Sequence, residues 1–229
     1  MPLEADERPV VAGIGVSLRV SLVAPLRQLA RETDGGDLLF WLDPWSADGQ
    51  RYAGQLRPIL SELRLHAERA LTLIAQARDT AAAAGTTLRE ADAIDAIELG
   101  ARRMDLIGLK FQLTDEMAAS YAHAFSLQSS KKKEDRDDIT YDLGSINNGV
   151  NGKLQDLRNN YSLMRDLYEA AWLKSNRPYF LRDNLERYDL TIQLWLTRID
   201  KFRSAQRQYT NTQTLPTAAD LGIPAPPGP

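Results

Sequence analysis

The sequence predicts an all-α fold: an antiparallel bundle of four long helices with a shorter N-terminal helical element. Three observations carry this. Four segments repeat apolar residues at alternating steps of three and four, which places a stripe along one side of a helix. No stretch sustains the every-other-residue alternation of a strand. Capping and helix-breaking residues fall between the periodic segments.

Residues 1–47 read as a segment that packs on the bundle. Leu18 to Ala30 has helical character despite Pro25, and Leu38-Leu39-Phe40-Trp41-Leu42 is an apolar run ended by Asp43-Pro44. Glu4, Asp6 and Glu7 stand where a secretory signal needs positive charge. The apolar stretch from Val10 to Leu26 is interrupted by Gly13, Gly15 and Arg19 and is too short to span a bilayer.

The bundle is expected over residues 48–209. Its first helix carries Leu56, Leu60, Leu63, Ala67, Ala70, Ile74 and Ala77, and Gly85 stands where it should stop. Thr87 and Glu90 have the spacing of a capping box for the second helix. That helix carries Ile94, Ile97, Ala101, Met104, Gly108, Phe111, Asp115, Ala118 and Ala122. It has a second stripe, Leu99, Leu106, Leu109, Leu113, Met117 and Tyr121, which predicts a central helix covered on two sides. Gln128 to Asp138 is dense in charge and reads as loose. Asn148-Gly149 and Asn151-Gly152 are turn formers, with Asn151 placed to cap the third helix. The third stripe is Leu154, Leu157, Tyr161, Met164, Tyr168 and Ala171; the fourth is Leu181, Leu185, Tyr188, Ile192, Trp195, Ile199 and Phe202. Between them Asn176 should end the third helix or cap the fourth, with Pro178 in the first turn of the fourth. Residues 210–229 form a Pro-rich tail expected to be disordered.

Composition excludes several classes. The chain has 229 residues, 43% hydrophobic and 26% charged, with net charge -3 and no cysteine. That is an ordinary globular composition. Disulfides, thiolate nucleophiles and Cys-zinc sites are impossible. The mixed, slightly negative charge offers no footprint for nucleic acid.

The motifs that carry chemistry are sparse, and no cofactor or metal is indicated. His66 and His123 fall on different helices, and the paired Glu-x-x-His pattern of bundle metal sites is absent. Gly149 to Lys153 lacks the Walker glycine spacing, and the acidic run Asp135, Asp137, Asp138, Asp142 lacks an EF-hand's glycine and terminal glutamate. Asp115-Glu116 is the most notable pair. Adjacent carboxylates on a helix diverge by about 100°. Asp115 nevertheless lies on an apolar stripe, where a carboxylate needs a partner, and Arg177, Arg187 or Tyr188 could supply it. Trp41, Trp45, Trp172 and Trp195 offer flat faces for sugar rings, or they fill the core.

Leu99-Gly100-Ala101-Arg102-Arg103-Met104-Asp105-Leu106-Ile107-Gly108-Leu109-Lys110-Phe111-Gln112, Leu163-Met164-Arg165-Asp166-Leu167-Tyr168-Glu169-Ala170, Trp172-Leu173-Lys174-Ser175-Asn176-Arg177-Pro178-Tyr179-Phe180-Leu181 and Arg187-Tyr188-Asp189 together resemble the C-terminal helical region of bacterial glycoside hydrolase family 20 proteins, the β-N-acetylhexosaminidase class. The resemblance covers about two thirds of the chain. It implies an accessory helical domain, non-catalytic by itself, serving domain packing or oligomerisation. Enzymatic activity is not implied for this chain alone. The family's acid pair follows Gly-Gly in a barrel, where its Asp orients the substrate's acetamido group. Here Asp115-Glu116 follows Leu113-Thr114, and Gly35-Gly36-Asp37 is followed by Leu38. The partner implied is a catalytic barrel or another protein chain, including a second copy, with no nucleic acid and no membrane. The alternative is a free-standing helical interaction module. On either reading the binding or interface candidates are Asp115, Glu116, Trp172, Asn176, Arg177, Arg187, Tyr188 and Asp189. Arg177 is expected either to pair internally with Asp183 or Glu169, or to face outward as a clamp on a neighbouring domain.

Overall fold

Every regular element in the computed structural model, which describes residues 38–224, is a helix. In chain order these are α1 (Leu38–Trp41), α2 (Ala47–Ala83), α3 (Ala91–Leu127), α4 (Lys133–Ile146), α5 (Lys153–Ser175), α6 (Leu181–Thr212) and α7 (Ala218–Leu221). The chain divides after Leu38, and the helical unit begins at Leu39 rather than at the boundary near residue 47 that the sequence suggests. Residues 1–37, with the helix expected from Leu18 to Ala30, and residues 225–229 lie outside the described residues.

Local chemistry explains most of the ends. Ser46 caps α2: its hydroxyl accepts the Gly49 N–H at 3.0 Å and donates to the Asp43 carbonyl at 2.7 Å. Gly85 stops α2 as expected. At φ 65° its N–H bonds the Ala82 carbonyl and that of Thr86 bonds Ala81, a Schellman ending. The Thr87–Glu90 capping box does not form. The chain turns once more, Glu90 itself becomes the N-cap at φ 53°, and no side chain caps α3. The box is made at Thr217 and Asp220 instead, at the start of α7. Gly152, not Asn151, precedes α5; the turn is organised by the Asn148 side chain, which accepts the N–H groups of Val150 and Asn151.

Two segments that read as loose are ordered. The charged run becomes α4 from Lys133, because Ile139, Leu143 and Ile146 share one face and are buried. Glu134 and Asp135 in its first turn suit the positive end of the helix. In the tail, α6 continues to Thr212, and Leu215, Leu221 and Ile223 are buried. Tyr121 donates its hydroxyl proton to the Pro216 carbonyl at 2.6 Å, which pins the tail to α3.

α2 and α3 run antiparallel, as do α3 and α5, as the order of their ion pairs shows. Along α2, Arg57, Arg64 and Arg78 meet Asp115, Asp105 and Asp95 in descending order on α3. Glu116 and Asp95 of α3 meet Lys153 and Lys174 of α5, and Arg165 of α5 meets Asp189 of α6. α3 is central, as its two stripes predict: α2, α4 and α5 all pack on it, and α6 packs chiefly on α5. The core is aromatic. Phe40 lies 4.7 Å from Trp41, 5.1 Å from Tyr161 and 5.7 Å from Tyr188 between ring centroids, and Phe202 sits 5.8 Å from Tyr121 and 6.3 Å from Trp45.

Candidate functional site

The residues singled out in the sequence separate into three places. Asp115 is paired, but with Arg57 of α2: Nε to Oδ2 is 2.6 Å and Nη2 to Oδ1 is 2.8 Å. Its side chain is 42% exposed rather than buried, and none of Arg177, Arg187 and Tyr188 is its partner. The reason is rotational. Leu106, Met117 and Tyr121 of the second stripe are buried together with Lys110 and Thr114, and Asp115 lies on the rim of the α2–α3 seam. Its bond to Asp115 raises the Arg57 pKa against a small effect of burial. Glu116 diverges, as adjacent helix positions must, toward Gln112 and Lys153.

Around α6, Tyr188 is buried among Phe40, Trp41 and Tyr168, Asp189 binds Arg165 at 2.7 Å, and Arg187 is exposed. The third place is the α5–α6 corner. Asn176 ends α5 as its C-cap, and Trp172 Nε1 donates to the Arg177 carbonyl at 2.8 Å. Arg177 faces solvent and makes no ion pair with Asp183 or Glu169 among the described residues; Glu169 is held by Arg165. Pro178 is not in the first turn of α6. The helix starts three residues later, after Phe180 takes a left-handed conformation at φ 57°.

That corner exposes an unusual surface. The Tyr179 and Phe180 rings pack edge to face at 4.9 Å and remain 74% and 66% exposed. A bulky residue at positive φ costs roughly 1–2 kcal/mol. From Leu173 to Arg182 there are three cations, Lys174, Arg177 and Arg182, and no acidic residue. A groove of about 560 Å³ opens beside it, lined by Pro178, Leu181 and Leu185 with the cations Arg165 and Arg182 and the acids Glu169, Glu186 and Asp189.

A polar cluster that sequence reasoning missed lies inside the fold. Lys110 of α3 is fully buried, and its Nζ donates to the carbonyls of Leu39, Phe40 and Leu42 at 2.8, 2.9 and 2.6 Å. Burial pushes its pKa down to about 7; nearby Asp43 pulls it up and Arg198 pushes it further down. Arg198 donates to Asp43 at 2.6 Å, and its guanidinium lies 4.5 Å from the Trp45 ring centroid and 4.8 Å from that of Trp195. Trp45 Nε1 donates to the Thr114 carbonyl at 3.2 Å, and Tyr161 donates to the Phe40 carbonyl. Trp45 and Trp195 are therefore core residues rather than sugar platforms. A signal was present: Lys110 stands at helical spacing between Leu106 and Leu113, where an apolar residue is expected.

The histidines do not converge: His123 bonds Asp142 at 2.7 Å, and no group of three acidic or histidine side chains suited to a metal occurs among the described residues. No helix there is long and apolar enough to cross a membrane. No protein-family model, curated protein or solved structure matches this chain.

Proposed function

We propose that this chain is a non-catalytic helical docking domain that engages another folded domain through the α5–α6 corner. The observation that carries the reading is the exposed Tyr179–Phe180 pair, held out by a left-handed Phe180. Backbone strain that leaves two rings in water is expected where a partner covers them. Aromatic and arginine side chains dominate the energetics of such contacts, and Arg177 supplies the latter. The exposed rings call for an apolar patch on the partner, and Arg177 for a carboxylate at its edge.

The resemblance to the helical region of family-20 glycoside hydrolases makes a hexosaminidase-like barrel the partner to test. The chain is mixed with such a barrel and followed by sedimentation and by the barrel's thermal midpoint. A complex that Phe180→Gly weakens at least tenfold, with the chain's own melting temperature unchanged or higher, is the expected result. Gly accepts positive φ without strain, so loss of binding without loss of stability separates docking from folding. If no barrel binds but the chain self-associates through the same corner, the free-standing interaction module is the correct reading. A chain that stays monomeric and binds no barrel overturns both. The chain alone should not turn over a chromogenic N-acetylglucosaminide; turnover abolished by Asp115→Ala or Glu116→Ala would make it an enzyme.

A further inference from the structure

The turn between α4 and α5 holds two Asn-Gly pairs, Asn148-Gly149 and Asn151-Gly152, and the chain has no other. An asparagine followed by glycine can cyclise: the glycine's backbone nitrogen attacks the side-chain carboxamide, and no Cβ stands in the way. The two pairs are built differently. Asn148 is exposed, and its Oδ1 accepts the N–H of Val150 at 3.1 Å and that of Asn151 at 2.6 Å. An oxygen that bonds the N–H groups two and three residues ahead folds the carboxamide back across the intervening peptide, and that peptide carries the Gly149 nitrogen. Gly149 is exposed at φ 86°, a Cβ there would meet nothing within 4 Å, and its N–H has no acceptor among the described residues. The nucleophile is therefore free. The carbonyl oxygen on which charge would develop already has two N–H donors, the arrangement of an oxyanion hole. Asn151 is exposed too, but its glycine is not. Gly152 is buried, a Cβ on it would lie 2.7 Å from Asn147 Cα and 2.8 Å from the Asn148 nitrogen, and its carbonyl accepts the Asp156 N–H at 3.0 Å. Its nitrogen cannot swing toward Asn151 without unwinding the start of α5.

We propose that Asn148 is a self-modifying site, at which the folded turn carries out an intramolecular acyl transfer while Asn151 stays intact. Solvent hydroxide takes the Gly149 amide proton. The nitrogen forms a bond to Asn148 Cγ, and the carbonyl electron pair moves onto Oδ1, where the Val150 and Asn151 N–H groups hold it. As the carbonyl re-forms, the Cγ–Nδ2 bond breaks, Nδ2 takes a proton from water, and ammonia leaves a succinimide. Water then opens the ring. Attack at Cγ gives an aspartate on an unaltered backbone. Attack at the main-chain carbonyl carbon leaves Gly149 joined through Cγ, which is an isoaspartate. The aspartate keeps both N–H bonds and strengthens them with its charge, whereas the isoaspartate lengthens the main chain inside the turn. Either product adds one negative charge to a chain of net charge -3.

The second pair is the internal control, because both have the same reacting residues and differ in the structure around them. The folded chain is held in mildly alkaline buffer and digested at acidic pH, and the peptides carrying Asn148 and Asn151 are followed by mass spectrometry with fragmentation to locate the change. A second sample is treated identically in urea. In the folded chain Asn148 should convert about tenfold faster than Asn151 or more, the scale of effect that positioned N–H donors have on acyl transfer. In urea, where only the local sequence acts, the two rates should be alike. Asn148 should also react in the folded chain at least as fast as in urea. Asn151 converting as fast as Asn148 in the folded chain, or folding that slows Asn148 below its rate in urea, overturns the proposal.

Discussion

The α2–α3 hairpin has two halves built on the same apolar rhythm and stabilised differently. From Ala47 to Ala67, α2 buries Tyr52, Leu56, Leu60, Leu63 and Ala67, and α3 from Ala101 onward buries nine residues, Lys110 among them. Between Glu68 and Gly100 no described residue is buried, and Leu73 and Ile97 are largely exposed. Both halves carry ion pairs, Arg57–Asp115 and Arg64–Asp105 in the inner one, but in the outer half they join helices with no buried side chain between them. Arg78 bridges Asp95 and Glu98, Arg102 joins Glu98, and Lys174 of α5 reaches Asp95 at 2.7 Å. A stripe is enough to make a helix, but it becomes core only where another element lies over it. Here Leu106, Met117, Tyr121 and Ala124 of α3 share one core with Phe40 and Trp45 of the strap Leu39–Trp45.

The comparison is tested first where the difference should be greatest. Phe40→Ala removes a fully buried ring from the inner half and should lower global stability by about 3–5 kcal/mol in denaturant melts. Arg198→Met removes the guanidinium from Asp43; because Asp43 keeps the Trp45 N–H and some contact with water, the loss should be nearer about 2 kcal/mol. Gly49→Ala tests the strap's entry, since a Cβ there would lie 2.1 Å from the Asp43 carbonyl oxygen. A core residue tolerant of replacement at Phe40 would mean that the strap does not hold the inner half.

In the outer half effects should be local. Ala75→Gly, in an exposed helix interior, should raise hydrogen exchange in residues 68–100 by about fivefold, corresponding to roughly 1 kcal/mol, with no change in the global transition. The smallest effect is electrostatic. Lys174 draws the Asp95 pKa below its ordinary 3.8, and Arg102 and Arg78 outweigh the opposing burial to draw Glu98 below 4.5. Both carboxylates are depressed in the fold, so their support is complete above about pH 5 and is lost as pH falls through the lowered values. His123 behaves oppositely. Its bond to Asp142 raises it above 6.5, so the support it gives the α3–α4 contact is complete below about pH 6 and lost as pH rises through the raised value. Exchange profiles at pH 3, 5 and 8 check both signs.

Much of the helical architecture was legible because burial imposes a period on the residues it needs. The four stripes became α2, α3, α5 and α6, and the double stripe of α3 marked it as central. Helix α4 was hidden because Lys131 to Asp138 dominates its composition, although Ile139, Leu143 and Ile146 keep helical spacing. The tail was hidden by its prolines, while Leu215, Leu221 and Ile223 supply the apolar contacts. Thr87 and Asn151 show the limit of local signals: capping residues compete, and tertiary packing chose Glu90 and Gly152. The corner was legible in part. Asn176 as the end of α5 was foreseen, an outward Arg177 stood only as the alternative to internal pairing, and nothing in a string of residues states that Phe180 adopts φ 57°. Lys110 was overlooked because its three acceptors are main-chain atoms some 70 positions away, and carbonyls carry no sequence mark.

The distance in sequence between the strap and its anchors has a consequence for biosynthesis. Asp43 and Arg198 are separated by 155 residues, and Phe40 by 121 from Tyr161. At about 5–20 residues per second, a ribosome needs roughly 8–30 s to deliver Arg198 after Asp43. During that interval Phe40, Trp41 and Trp45 have left the tunnel with no α6 to receive them. A nascent chain arrested before Arg198 should therefore present a sticky aromatic segment to chaperones, and release of that segment should follow emergence of α6 rather than of α3. Interior order at this segment waits for partners synthesised more than a hundred residues after it.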